Sequence, residues 1–123
     1  MKHTLLLADN ERSVRRNCKT ELAAQGYRVL LAADGDEALE VVETFAVDLV
    51  VLDQHMPCCS GLEAARRIKQ GRPQVPVILF TVDPHYEYFT SSEVDATVVK
   101  SGDLAALVAA VEELLAPRRA AAG

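Results

Sequence analysis

The residues of this chain that could do chemistry together are far apart in sequence, but each follows a short apolar run. Asp9 and Asn10 follow the first run, Asp53 the third, Thr81 the fourth and Lys100 the fifth. If these runs are parallel strands of one sheet, their carboxyl ends share an edge. The sequence therefore predicts one site that combines two carboxylates, an amide, a hydroxyl and an ammonium group.

This set of groups favours a magnesium and phosphoryl site. Carboxylates held close together repel each other unless a cation neutralises them, and Mg²⁺ prefers a few such oxygens with water. A lysine opposite would balance the charge of a phosphoryl group. Taken singly, each residue has a structural explanation: Asp9 could cap a helix, Thr81 could cap the turn before Pro84, and Lys100 could be a solvated lysine. Taken together, they fit one reaction.

The elements that would position these residues alternate between strand and helix. Apolar runs predict strands at 3–8, 28–33, 48–52, 76–80 and 94–99. Helical spacing predicts helices at 11–25 and 37–45. Two further helices are predicted, one after a capping box formed by Ser60 and Glu63 and a last one after a cap at Ser101. The fold class is therefore α/β: a single doubly wound five-stranded parallel sheet with right-handed crossovers and helices on both faces.

Composition limits the class of protein. With 123 residues, half of them apolar, the chain is long enough for one folded domain. A net charge of -5 argues against a nucleic-acid surface, and no apolar run has the length of a membrane span. Cys18, Cys58 and Cys59 are an odd number with two adjacent, which indicates free thiols in a reducing cytoplasm.

Over residues 3–116 the chain resembles the receiver domain of two-component response regulators. The resemblance is carried by LLLADNERSVRR, AADGDEALE, DLVVLDQHMPCCSGLEAARRIK, PVILFT and VVKSGDL. The third stretch is the most specific. In it, two residues separate an aspartate, Asp53, from a Met-Pro pair, and a glycine, Gly61, follows four residues after the proline. The resemblance implies a flavodoxin-like strand order of 2-1-3-4-5 in a receiver domain of residues 1–116, followed by a tail at 117–123. The fourth helix, around DPHYEYFTSS, is expected to be shortened or irregular.

The resemblance also implies a function for the polar set. Asp53 would accept a phosphoryl group from a phosphohistidine of a sensor histidine kinase or phosphotransfer protein, with Lys100 and Thr81 contacting that group. Mg²⁺ would be held by Asp9, Asn10, Asp53 and the backbone carbonyl of His55. The expected protein is a stand-alone cytoplasmic signalling switch rather than an enzyme. It would change its binding to a downstream protein, and the sequence leaves open whether it forms a homodimer.

Four of the departures from the family pattern bear on phosphorylation and its readout. Asn10 replaces the usual second acidic residue, Val82 a small residue, Thr97 the aromatic residue that reports phosphorylation, and Ser101 a proline. These departures leave an alternative open, namely a pseudo-receiver that binds proteins without being phosphorylated. Without the aromatic residue, the 83–93 segment is the element expected to move on phosphorylation.

Other interpretations have weaker support. A zinc site at His55, Cys58 and Cys59 would lack a second ligand cluster. A flavodoxin-type redox protein would need a glycine-rich phosphate loop where this chain has ADNERS, and a dehalogenase-type phosphatase would need a two-aspartate motif there. The aromatic residues of the 83–93 segment predict either a partner-binding patch or a cover for the core; these residues are Tyr86, Tyr88 and Phe89.

Overall fold

The structure is a computed structural model that describes residues 2–117, in which five strands alternate with helices. The strands are β1 Thr4–Ala8, β2 Arg28–Ala32, β3 Leu49–Leu52, β4 Val77–Thr81 and β5 Ala96–Val99. The α-helices are α1 Arg12–Ala24, α2 Gly35–Thr44, α3 Gly61–Gly71 and α4 Ala105–Leu115. A single 3-10 turn, Pro84–Tyr86, stands between β4 and β5.

All five strands pair in parallel, in the order β2-β1-β3-β4-β5, which confirms the predicted fold class and strand order. Ala8 pairs with Leu52, so the residues that follow β1 and β3 emerge side by side. Thr81 pairs with Val99, which places Lys100 next to the end of β4. The register therefore brings the predicted polar residues to one edge of the sheet.

The sheet separates two apolar cores, one on each face. One core contains buried residues of α2 and α3, with the segment between β4 and β5 packed on it. The other contains buried residues of α1 and α4. Every residue of β3 and β4 is buried, as expected for strands covered on both faces. Burial on both faces fixes where the carboxyl ends of these two strands lie.

Two helix starts differ from the predicted positions by more than one residue. α2 begins at Gly35 rather than 37, because the Asp34 side chain accepts a hydrogen bond from the Glu37 N–H and caps the helix there. The prediction that Ser101 caps the last helix is wrong. The Ser101 hydroxyl donates to the Asp103 carbonyl oxygen, and Asp103 Oδ1 accepts from the Ala105 N–H.

The segment between β4 and β5 lacks an α-helix, which confirms the shortened fourth helix. Tyr86 and Phe89 meet edge to face with ring centroids 5.7 Å apart and pack against the core. Tyr88 is 87% exposed, with a φ of 61° that side chains rarely adopt. The interpretation as a cover for the core is therefore confirmed for Tyr86 and Phe89, and the interpretation as a partner-binding patch stays a prediction. Two rings cover the core, and one faces solvent.

Two further predictions concern the ends of the chain and membranes. The tail predicted at 117–123 lies, beyond Pro117, outside the described residues, while α4 ends at Leu115. Within residues 2–117, no helix has the length and apolar character that would let it cross a bilayer.

Candidate functional site

Asp9 and Asp53 are held at the sheet edge by hydrogen bonds that extend the strand pairing. The Asp9 N–H donates to the carbonyl of Ala32 at 3.1 Å, and the Asp53 N–H donates to the carbonyl of Ala8 at 2.9 Å. Asp9 is fully buried and Asp53 is 5% exposed. Because carboxylates are seldom buried unless they are paired, this placement requires a counterion.

Lys100 is that counterion. Its backbone N–H donates to the carbonyl of Thr81 at 2.7 Å, which fixes its position beside β4. Its Nζ lies 2.6 Å from Asp9 Oδ2 and 3.5 Å from Asp53 Oδ2. The same ammonium lies 5.3 Å from the centre of the Phe80 ring. One cation therefore serves two buried carboxylates, and it is closer to Asp9.

Thr81 completes the edge. It is fully buried, and its hydroxyl oxygen accepts a hydrogen bond from the Asp83 N–H at 3.2 Å. It is the last residue of β4, and β4 pairs with β3, the strand that Asp53 directly follows. The structure thus brings Asp9, Asp53, Thr81 and Lys100 to one edge, as the sequence predicts.

The site is short of positive charge. Burial and the neighbouring Asp9 raise the pKa of Asp53 above its usual range, although Lys100 and the His55 N–H act against that rise. Burial alone would lower the pKa of Lys100, but its hydrogen bond to Asp9 and the charges of both aspartates raise it. Lys100 is therefore firmly protonated, yet it does not fully compensate the two carboxylates.

The two remaining predicted metal ligands border the carboxylates. Asn10 is exposed and directly follows Asp9, whose Oδ1 accepts from the Glu11 N–H at 2.9 Å. The N–H of His55 donates to Asp53 Oδ1 at 3.3 Å, so the backbone of His55 lies against the carboxylate. Two carboxylates, an amide and a backbone carbonyl are oxygen donors of the kind that magnesium prefers.

Sequence reasoning missed two residues that support the site. The Arg15 guanidinium donates to the Asp9 carbonyl oxygen at 2.7 Å and anchors the first loop. The Gln54 side chain accepts from the Leu62 N–H at 2.9 Å, which ties the loop after Asp53 to the start of α3. A contact between Arg15 and the first loop could have been suspected, because Arg15 lies one turn into α1. No comparable signal identifies Gln54.

The loop after Asp53 depends on Gly61. A Cβ at Gly61 would lie 2.4 Å from the carbonyl oxygen of Asp53 and 2.9 Å from Gln54 Cα. The Gly61 N–H donates to the Gln54 carbonyl at 3.0 Å, so the two ends of the loop touch. This close backbone approach keeps Asp53 in place and needs a residue without a side chain.

The zinc interpretation has no structural support. Among residues 2–117, no group of three or more His, Cys, Asp or Glu side chains is arranged to hold a metal ion. Cys58 is exposed and Cys59 is half-buried, and both are free, as predicted. Cys18, also free, is buried, and burial with the charge of Asp9 raises its pKa to about 11.

Comparison with known proteins identifies the family. The model of the response regulator receiver domain matches residues 5–112. The chain belongs to this receiver family. The response regulator MprA of Mycolicibacterium vanbaalenii is 34% identical over 116 residues, a match that covers 94% of this chain and 48% of that protein. This receiver chain therefore spans about half the length of the curated relatives it matches.

Solved receiver structures match in fold and in sequence. The response regulator TrrA of Thermotoga maritima, solved in complex with Mg²⁺-BeF, is 39% identical with a TM-score of 0.86, and the match covers 94% of this receiver and all of that chain. TrrA has also been solved in complex with the histidine kinase ThkA. In that complex the matching chain is 37% identical with a TM-score of 0.82, and the match covers 94% of this receiver and 99% of that chain.

Proposed function

We propose that this receiver accepts a phosphoryl group on Asp53 from the phosphohistidine of a sensor histidine kinase or phosphotransfer protein, and then changes its binding to a downstream protein. The observation that carries this proposal is that Lys100 contacts both buried carboxylates beside the buried hydroxyl of Thr81. The complexes of TrrA with Mg²⁺-BeF and with a histidine kinase support it. Such a transfer belongs in the cytoplasm, and the chain acts as a switch rather than as an enzyme on a separate substrate.

The donor set fits a magnesium ion. Two carboxylates that are almost fully buried share one ammonium, and the raised pKa of Asp53 indicates that a second cation would relieve repulsion. Asp9, Asp53, the amide oxygen of Asn10 and the backbone carbonyl of His55 would hold the ion. Mg²⁺ bound there would neutralise charge on the oxygens of the transferred group.

The chain's own residues account for the remaining chemistry. A carboxylate oxygen of Asp53 attacks phosphorus in line with the departing imidazole nitrogen, so a P–O bond forms as the P–N bond breaks. Lys100 Nζ, 3.5 Å from Asp53 Oδ2, is placed to pair with the oxygens of the new phosphoryl group. The Thr81 hydroxyl oxygen accepts from the Asp83 N–H, and its own proton is available to donate to the same group.

We expect phosphorylation to be reported by the 83–93 segment. A shift of the Thr81 side chain toward the phosphoryl group would lengthen or break the hydrogen bond that its oxygen accepts from the Asp83 N–H. The segment has a single 3-10 turn, and the Thr97 hydroxyl ties it to β5 by donating to the Phe89 carbonyl at 2.8 Å. Amide hydrogen exchange with and without beryllofluoride should show altered protection in this segment, because poorly packed segments open at low free-energy cost. Changes confined to α4 would contradict this expectation.

Asn10→Asp should tighten magnesium binding by roughly tenfold. The substitution adds one carboxylate at contact distance, which is worth at most about 4 kcal/mol at an effective dielectric near 20 before solvent and rearrangement reduce it. Isothermal titration with Mg²⁺ measures the difference. Asn17→Asp, on α1, is the control for an added charge outside the donor set. Equal affinities in the wild type and in Asn10→Asp would show that Asn10 is not a ligand.

The alternative function, a pseudo-receiver, is favoured by Asn10, Val82, Thr97 and Ser101. Val82 directly follows Thr81 and is 64% exposed. The deciding experiment is incubation with phosphoramidate and Mg²⁺, followed by intact-mass analysis, with Asp53→Asn as the matched control. A mass increase of one phosphoryl group in the wild type alone supports the proposal. No increase in the wild type supports the pseudo-receiver.

A further inference from the structure

The helix α1 carries a positive surface that is not neutralised within residues 2–117. Four cations and one acid give α1 a net charge of +3, whereas the whole chain has a net charge of -5. The cations share a shallow groove with Leu31 of β2, so they lie on the side of α1 that faces this edge strand; they are Arg12, Arg15, Arg16 and Lys19. None of them forms an ion pair with a described residue.

The position of these cations is unfavourable for α1 itself. Three of them lie within the first five residues of the helix, where the helix dipole disfavours positive charge. The first turn holds no acidic residue, and the side chain of Glu11 at the N-cap accepts no hydrogen bond from the helix. Charges that break a local rule without compensation inside the fold are typical of a surface that serves binding. This surface requires an anionic partner.

A surface of opposite charge lies on α2. This helix carries four exposed acids and no cation; the acids are Asp36, Glu37, Glu40 and Glu43. Among residues 2–117 these acids form no ion pair either. Glu37 Oε1 accepts from the Ala33 N–H, directly after β2, at 3.3 Å, so Glu37 lies on the β2 side of α2. Because α1 and α2 pack on opposite faces of the sheet, the two surfaces do not neutralise each other within one chain.

The strand register places the two charged surfaces at the same height. Ala8 of β1 pairs with Ala32 of β2, an offset of 24 residues. α1 begins four residues after Ala8 and α2 three residues after Ala32, so both helices run back from the same edge of the sheet. The same offset, to within one residue, relates cations of α1 to acids of α2: Arg16 to Glu40, and Arg12 to Glu37. Opposite charges would therefore meet if α1 of one copy lay beside α2 of another.

We propose that two copies of this chain associate along their β2 edges, with α1 of each copy against α2 of the other. A two-fold axis parallel to the strands exchanges the two faces of the sheet, which places each α1 beside the partner's α2 at equal height. A two-fold axis perpendicular to the sheet would instead place α1 beside α1, where like charges repel. The association needs no phosphoryl group on Asp53, so it goes beyond the proposed function and is independent of it.

Sedimentation velocity of the unphosphorylated chain, in EDTA and a reducing agent, tests the association. The wild type should form dimers at about 0.1 M salt, over a series of protein concentrations that reaches the millimolar range. It should dissociate at about 1 M salt, because the screening length falls from about 10 Å to about 3 Å.

Charge reversal locates the interface. The first variant combines Arg12→Glu with Arg16→Glu on α1, and the second combines Glu37→Lys with Glu40→Lys on α2. Each variant alone should raise the dissociation constant of the dimer at least ~10-fold, because like charges then face each other in both α1–α2 contacts. An equimolar mixture of the two variants should associate about as well as the wild type, since each α1 again faces an α2 of opposite charge.

The matched control reverses two exposed acids on another helix. Glu112→Lys with Glu113→Lys changes the net charge as much as the second variant does, but on α4. It should leave the dissociation constant unchanged. A loss of affinity equal to that of the α1 variant would place the interface on α4 and overturn the proposal. Circular dichroism confirms that each variant is folded before the mixture is made.

Two other outcomes would also overturn the proposal. One is a wild type that stays monomeric at both salt concentrations across the whole series. If such a monomer binds polyglutamate, the cations of α1 serve an acidic segment of a different protein. The other is a mixture of the two folded variants that fails to associate, because complementary charge would then not be what joins the copies. Labelling of Asp53 by phosphoramidate is measured separately, so neither outcome bears on the proposed phosphoryl transfer.

Discussion

Lys100→Met should lower the free energy of unfolding by about 3 kcal/mol at pH 7.5 in EDTA, because it removes one partner of a buried ionic cluster. The ammonium lies 2.6 Å from Asp9 Oδ2 and 3.5 Å from Asp53 Oδ2, so its loss leaves two carboxylates at one edge without a counterion. Methionine keeps an unbranched apolar stem of similar length near Phe80. Urea unfolding followed by circular dichroism measures the change.

The loss of unfolding free energy caused by Lys100→Met should be smaller in acid. Burial and Asp9 raise the pKa of Asp53, and Lys100 limits that rise, so the variant should have a still higher pKa at Asp53. A carboxyl group whose pKa is higher in the folded than in the unfolded state destabilises the fold when it is ionised. This penalty is absent below the unfolded pKa, about 4, and grows as the pH rises through the folded pKa. The deficit should therefore be smaller at pH 5 than at pH 7.5.

Two further variants test the electrostatic cause. Asp53→Asn in the Lys100→Met background should recover part of the lost stability, because one carboxylate no longer needs a counterion. Arg16→Met removes an exposed cation that forms no ion pair within residues 2–117, and it should change stability little. If Lys100→Met and Arg16→Met unfold alike at pH 7.5, Lys100 is not the counterion of the pair.

The fold and the edge of the site could be predicted because both follow from periodicity. β3 is apolar at each of its four positions, and such a run fits a strand covered on both faces. Once the strands are parallel, the residue after each strand must lie at the same edge. Asp9, Asp53, Thr81 and Lys100 were therefore located without knowledge of any loop.

What the sequence could not predict depends on loop conformation. Ser101 and Asp103 both carry oxygens that can cap a helix, and only the path of the backbone decides that Asp103 accepts from the Ala105 N–H. That Lys100 lies closer to Asp9 than to Asp53 depends in the same way on distances that no spacing encodes. Tyr88 turns outward with a positive φ, which no periodic pattern signals.

Gly61→Ala should have a comparably large effect, through sterics rather than charge. The new Cβ would lie 2.4 Å from the Asp53 carbonyl oxygen, 2.9 Å from its carbonyl carbon and 2.9 Å from Gln54 Cα, all of them backbone atoms. Because backbone cannot rotate away as a side chain can, we expect a loss of about 3 kcal/mol in urea unfolding. The displaced Asp53 should also be labelled by phosphoramidate at least ~10-fold more slowly, since misplacing a nucleophile is costly.

Gly71 offers a control at the opposite end of the same helix. A Cβ at Gly71 would meet nothing within 4 Å, and alanine favours helix over glycine by up to about 1 kcal/mol. Gly71→Ala should therefore be as stable as the wild type or slightly more so, with an unchanged labelling rate. If Gly61→Ala matches Gly71→Ala in both stability and labelling rate, the loop after Asp53 rearranges around the new Cβ without loss of stability. The close approach of Gly61 would then not be what positions the carboxylate.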